Sequence, residues 1–173
     1  MSRIFVVAAV VLVLAGVAGA APSDTYALKA SLTAKAEVPK PTGVPPGALG
    51  AFTAKAVEIQ GGRARLTWRL TFRKLSGRAA AAHVHVGKAG KAGGVMAALC
   101  GPCRSGQRGT ATITRAQLRT IRAGKAYVNV HTARNQAGEI RGQLKATRTG
   151  TGSDPAPPPP PPPSDPPDPP IYP

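Results

Sequence analysis

Aromatic residues are rare in this sequence of 173 residues, with one Trp, three Tyr and three Phe. That excludes a protein that reads nucleic acid by stacking bases on aromatic rings. Acidic residues are as scarce, 7 against 23 Lys and Arg. Asp154, Asp165 and Asp168 lie near the C-terminal end, so only Asp24, Glu37, Glu58 and Glu139 precede them. Two-carboxylate catalysis therefore has too few parts. No G-x-S-x-G nucleophile elbow occurs, no Ser-His-Asp set is suggested, and no glycine-rich loop ends in G-K-[ST]. After residue 21 no apolar run approaches the roughly 18 residues that a membrane-spanning helix needs. Cysteine is limited to two residues, Cys100 and Cys103, and neither is near the N-terminus, which speaks against a lipid-anchored lipoprotein.

Three unlike segments are present. Residues 1–21 open on Met1-Ser2-Arg3, run apolar from Ile4 to Val17 and reach Ala18-Gly19-Ala20, a small-x-small cleavage site. This is the layout of a secretory signal peptide, so the mature protein is expected to be exported, secreted or held in the cell envelope or periplasm. Residues 22–149 carry 22 of the basic residues and 4 of the acids, a net of +18, and form the expected folded domain. Residues 150–173 hold seven consecutive prolines, Pro157 to Pro163. They predict an extended polyproline rod without a core, either a spacer, a ligand for a proline-reading partner or an inert end.

Alternation dominates the middle segment. Over residues 63–73, Ala64, Leu66, Trp68, Leu70 and Phe72 share one face, while Arg63, Arg65, Thr67, Arg69, Thr71 and Arg73 share the other. A period of two over eleven residues predicts a half-buried strand. The same pattern marks residues 28–36 and 139–146. Further strands are expected near 49–59, 80–86, 94–99, 109–113 and 125–132, with glycine turns between them. One short helix is expected, capped by Thr114, running from Arg115 to Arg122 and ended by Gly124, with Leu118 and Ile121 facing the core. These elements predict an all-β antiparallel sandwich of two sheets with an alanine-rich, thin core.

Three histidines are the main candidates for chemistry. His83-Val84-His85 lies in an alternating stretch, so both imidazoles point to one face. On a strand their backbones stand about 6–7 Å apart, close enough to share one metal ion. In Tyr127-Val128-Asn129-Val130-His131, Val128 and Val130 share one face, and Tyr127, Asn129 and His131 share the opposite one. If the two strands are neighbours, His131 completes a three-nitrogen site of the kind that suits copper or zinc. Strand histidines also serve simply as solvated or carbonyl-bonded residues, and both readings stand at this level. Glu139 is a candidate fourth ligand or an acceptor for an imidazole N–H, although a salt bridge to a nearby arginine is its commoner role.

Cys100-Gly101-Pro102-Cys103 has the spacing of a thioredoxin-type redox motif. Such a pair needs its first cysteine at a helix N-terminus, whereas here a strand precedes it and a loop follows. A structural disulfide is the expectation for an exported protein. The charge offers a further role. Arg63, Arg65, Arg69 and Arg73 form a stripe, and Lys29, Lys35, Arg141 and Lys145 are expected on outward faces. Such a domain binds polyanions by counterion release. For an exported protein, an acidic envelope polysaccharide or an anionic lipid surface is a more fitting partner than nucleic acid. The alternative is that the charge serves solubility alone.

Ala82-His83-Val84-His85-Val86-Gly87, the stretch from Gly124 to Thr132, and Gly138-Glu139-Ile140-Arg141-Gly142-Gln143-Leu144 together resemble the CHRD domain. Glu37-Val38-Pro39 and Gly50-Ala51-Phe52 are similar to its opening segment. The resemblance covers about residues 26–146 and implies an extracellular, immunoglobulin-like β-sandwich module with no general enzymatic activity. Its HxH and VNVHT motifs fall on His83, His85 and His131. The HxH strand is also similar to that of Cu,Zn superoxide dismutase, another sandwich. That enzyme needs more histidines and a zinc-site aspartate, so dismutase activity is not expected, while a three-histidine copper site stays open.

Overall fold

The computed structural model describes residues 23–152. The expected signal peptide, residues 1–21, and residues 153–173 of the expected tail lie outside the described residues. Nine strands form one antiparallel sheet: β1 (Ser23–Thr33), β2 (Leu49–Ile59), β3 (Arg63–Arg73), β4 (Ala79–Val86), β5 (Val95–Cys100), β6 (Arg108–Thr114), β7 (Ala126–Thr132), β8 (Ile140–Gln143) and β9 (Lys145–Gly152). Their order across the sheet is β5-β4-β7-β8-β1-β2-β3-β6, with β9 also paired to β1. The sheet curls until β5 and β6 touch, close to a closed barrel. The all-β expectation therefore holds. All nine strands belong to one hydrogen-bonded sheet, in which the register pair Thr33 with Arg141 joins β1 to β8.

Alternation places the core as the sequence predicts. Ala64, Leu66, Trp68 and Leu70 of β3 are buried. They meet Leu28, Leu32 and Phe52 from β1 and β2, and Val84, Val128, Val130 and Ile140 from β4, β7 and β8. Each Leu or Val so removed from water contributes about 1.5–3 kcal/mol. The cluster holds eight alanines, among them Ala54, Ala56, Ala64 and Ala82, which lets the layers approach closely.

The single helix, α1 (Arg115–Arg122), starts where its cap signal lies. The Thr114 hydroxyl accepts from the Gln117 amide at 3.1 Å, and the Gln117 side chain accepts from the Thr114 amide at 2.8 Å. Leu118 and Ile121 close one end of the core.

Two segments differ from expectation. The first strand ends at Thr33, because the Thr33 hydroxyl caps a 3-10 turn over Ala34–Ala36. The last predicted strand splits at Leu144, whose amide turns back to the Ala126 carbonyl at 2.9 Å. The chain then leaves β7 and runs along β1 to Gly152, past the expected domain end at residue 149.

Candidate metal centre

β4 and β7 are direct neighbours, with Ala81 opposite His131, His83 opposite Asn129 and His85 opposite Tyr127. Val84, Val128 and Val130 enter the core. By alternation the three histidines emerge on the other face of the same strands. There the segment from Gly87 to Gly94 and the turn after Thr132 fold over them, so His85 is only 8% exposed. The candidate ligand nitrogens of His83, His85 and His131 lie within 4.8 Å of one another. Tetrahedral zinc or copper with bonds of about 2.0–2.1 Å would bring them about 3.4 Å apart, a distance that small ring rotations span.

Backbone carbonyls set the tautomers. His131 Nδ1 lies 2.8 Å from the Gln136 oxygen, and His85 Nδ1 lies 2.9 Å from the Gly93 oxygen. A carbonyl only accepts, so both Nδ1 atoms carry the proton and both Nε2 atoms present lone pairs. His83 Nδ1 then donates to His131 Nε2 at 3.0 Å. Burial holds His83 below the ordinary imidazole range, and the neighbouring His131 and His85 add to that. Burial does the same to His85, with the Gly93 bond opposing it. The pair thus favours the neutral form that binds metal.

Gly93 is required at its position, because a Cβ there would overlap the Val86 carbonyl oxygen. Only glycine lets this loop pass close enough to hold His85.

Several residues complete the site that sequence reasoning did not assign to it. The Tyr127 ring stacks on His85, 4.9 Å between centroids and 8° from parallel. The Arg141 guanidinium lies 3.4 Å from the Tyr127 centroid. Arg141 is buried rather than outward-facing, because its Nη2 donates to the carbonyls of Lys88 and Lys91 at 2.9 Å each and so ties the covering loop to β8. Asn129 is 1% exposed, its Nδ2 donates to the Ala137 carbonyl at 3.4 Å, and its Oδ1 has no protein partner. His85 Nε2, Glu37 Oε2 and Arg141 Nη1 are buried and equally unpartnered. Burial pushes the Glu37 carboxyl above its usual range. Gly138, at φ +132°, lets the turn lie against Glu37 and Asn129, where a Cβ would overlap the Glu37 carboxylate. Period two signalled Tyr127 and Asn129. Arg141 and Glu37 depend on cross-strand register and a loop, which no local pattern reveals.

Glu139 takes neither role expected of it. Its carboxylate is fully buried and accepts from the Ser76 amide at 2.6 Å, the Thr132 hydroxyl at 2.6 Å and Asn135 Nδ2 at 3.1 Å, as well as from the Ser76 hydroxyl. These partners saturate it, so it neither joins the histidine cluster nor pairs with an arginine. It braces the turn that carries the Gln136 carbonyl to His131.

Elsewhere, the sulfurs of Cys100 and Cys103 are 2.13 Å apart at the end of β5, with loop and no helix following. Arg63, Arg69 and Arg73 are exposed and Arg65 is half-buried on the outer face of β3. Lys29 and Lys145 are exposed on the same outer face, while Lys35 sits in the 3-10 turn. Among the described residues no helix is long and apolar enough to cross a membrane.

No curated protein and no solved structure matches the chain. The CHRD domain family matches residues 28–144, which takes in β4, β7, β8 and all three histidines, and the chain therefore belongs to the CHRD domain family.

Proposed function

We propose that this protein is a non-catalytic, extracytoplasmic CHRD module that holds one transition-metal ion, copper before zinc, through His83, His85 and His131. The observation that carries this reading is the convergence of three imidazoles, two of them held by backbone carbonyls with Nε2 unprotonated. Outer groups that fix the ring and tautomer are what metal-binding histidines use. An ion would displace the proton between His83 and His131. Family membership supports the extracellular, non-catalytic part. The immunoglobulin-like or superoxide dismutase-like sandwich is our reading of the scaffold, supported by a core that lies between β5-β4-β7-β8 and the layer from β9 to β6.

Copper titration followed by metal analysis after gel filtration tests the reading. The wild-type protein should retain one equivalent. His131→Ala and His85→Ala should bind more weakly by more than the about 10–100-fold that losing an outer partner costs. Equal copper retention by His131→Ala overturns it.

A second reading takes the protein as an envelope-associated binder of anionic surfaces. It is favoured by the placement of the acids: Asp24 pairs with Arg148, Glu58 with Arg115, and Glu37 and Glu139 are buried. No carboxylate of the described domain offsets the outer basic face.

A further inference from the structure

Strand register assembles a feature that runs across the arginine stripe. Lys145 of β9 stands opposite Lys29 of β1, Lys29 opposite Thr53 of β2, Thr53 opposite Arg69 of β3, and Arg69 opposite Arg108 of β6. All five side chains are exposed on the outer face. With strands about 4.8 Å apart, the row extends about 19 Å over four inter-strand steps. The surface along it is hollowed. One depression of about 440 Å³ is lined by Lys29, Ser31, Thr53, Gln143 and Lys145 among others. The next, of about 470 Å³, is lined by Lys29, Thr53, Lys55, Thr67, Arg69 and Arg108 among others. Lys29 and Thr53 border both, so the two form one trough.

We propose that this trough binds a single extended chain of a carboxylated or sulfated polysaccharide, laid across the strands. The inference rests on the second reading above and adds the binding residues, the direction and the partner. Four cations in one row, two on either side of Thr53, can meet successive anionic groups of one chain. The intervening Ser, Thr and Gln side chains suit sugar hydroxyls. No aromatic ring is exposed along the trough: Phe52 and Trp68, which border it, are buried on the core side, and Tyr127 is covered by His85 and Gly93. The trough therefore lacks both the platform for stacking bases and the wedge for entering a bilayer. A trough also fits a chain better than it fits a membrane plane.

Binding of the full chain to polygalacturonate, to phosphatidylserine-containing vesicles and to single-stranded DNA tests this, read by titration calorimetry at low and moderate salt. Polygalacturonate should bind, and Lys29→Gln/Arg69→Gln should weaken that binding about tenfold with a salt dependence shallower by about two counterions. Arg119→Gln/Lys125→Gln removes the same charge from exposed positions outside the trough and should change affinity less than about twofold. Equal weakening by both double variants means diffuse attraction and overturns the trough. Tighter binding to vesicles or DNA than to polygalacturonate overturns the polysaccharide assignment. Absence of binding to all three overturns the second reading itself, and the trough with it.

Discussion

Glu139 shows how a residue outside the histidine cluster sustains it. Burial works to raise its carboxyl, but the bonds from Ser76, Thr132 and Asn135 outweigh that and hold it below the usual range. The folded state then binds this proton less readily than the unfolded chain. The stability it contributes is present above the ordinary carboxyl range near about 4.3 and is lost as pH falls through and below it. Glu37, raised by burial, works in the opposite direction, losing stability as pH rises through its folded value. Glu139→Gln should cost about 2 kcal/mol at neutral pH and lose less further stability on acidification than the wild type does. Thermal melts followed by circular dichroism at neutral and acidic pH check this, and an unchanged acid loss would assign it to another carboxylate. At this scale the histidines were legible, since parity and two motifs brought them to one face. The role of Glu139 was not, because its partner Ser76 is 63 residues away in sequence. Arg141 was misread for a related reason. Strand parity separates two faces, but it does not say that the loop from Gly87 to Gly94 covers one of them.

At the level of elements, local chemistry was the more reliable guide. Thr114, Leu118 and Ile121 define α1 within eight residues of sequence, and each acts in the structure as it reads. Thr114→Ala removes the cap acceptor for Gln117 and should destabilise the domain by about 1 kcal/mol, measurable as a lower urea midpoint with an unchanged slope. The hairpin of β2 and β3 joins two expected strands through the Gly61-Gly62 turn, with eleven register pairs and no shift. β9 was harder to see. Its sequence Lys145-Ala146-Thr147-Arg148-Thr149-Gly150 is polar on both faces, and it is a strand because β1 offers a free edge from Ser23 to Lys29. That pairing also extends β1 toward the N-terminus, beyond its apolar alternation. Tertiary pairing, not propensity, decides both ends.

For the whole molecule the governing quantity is charge. The segment of residues 22–149 carries 22 basic and 4 acidic residues, and only two ion pairs, Arg115 with Glu58 and Arg148 with Asp24, occur among the described residues. Self-repulsion of the remaining cations opposes the compact state. Raising sodium chloride from about 0.01 M to 0.1 M shortens the screening length from about 30 Å to 10 Å and should raise the melting temperature. A melting temperature that does not move would mean that the basic groups are too far apart to interact. The overall curl of the sheet was the least legible feature, since closure depends on summed twist and on Thr33 meeting Arg141. That curl has a consequence for self-association. A flat sheet would present β5 and β6 as two open borders, each able to recruit a strand from another molecule and so start fibril growth. Because the two borders face each other, with Arg108 and the Cys100–Cys103 loop at their ends, each blocks the approach to the other. A domain poor in aromatics and thin in its core is thereby protected from polymerising through its sheet borders.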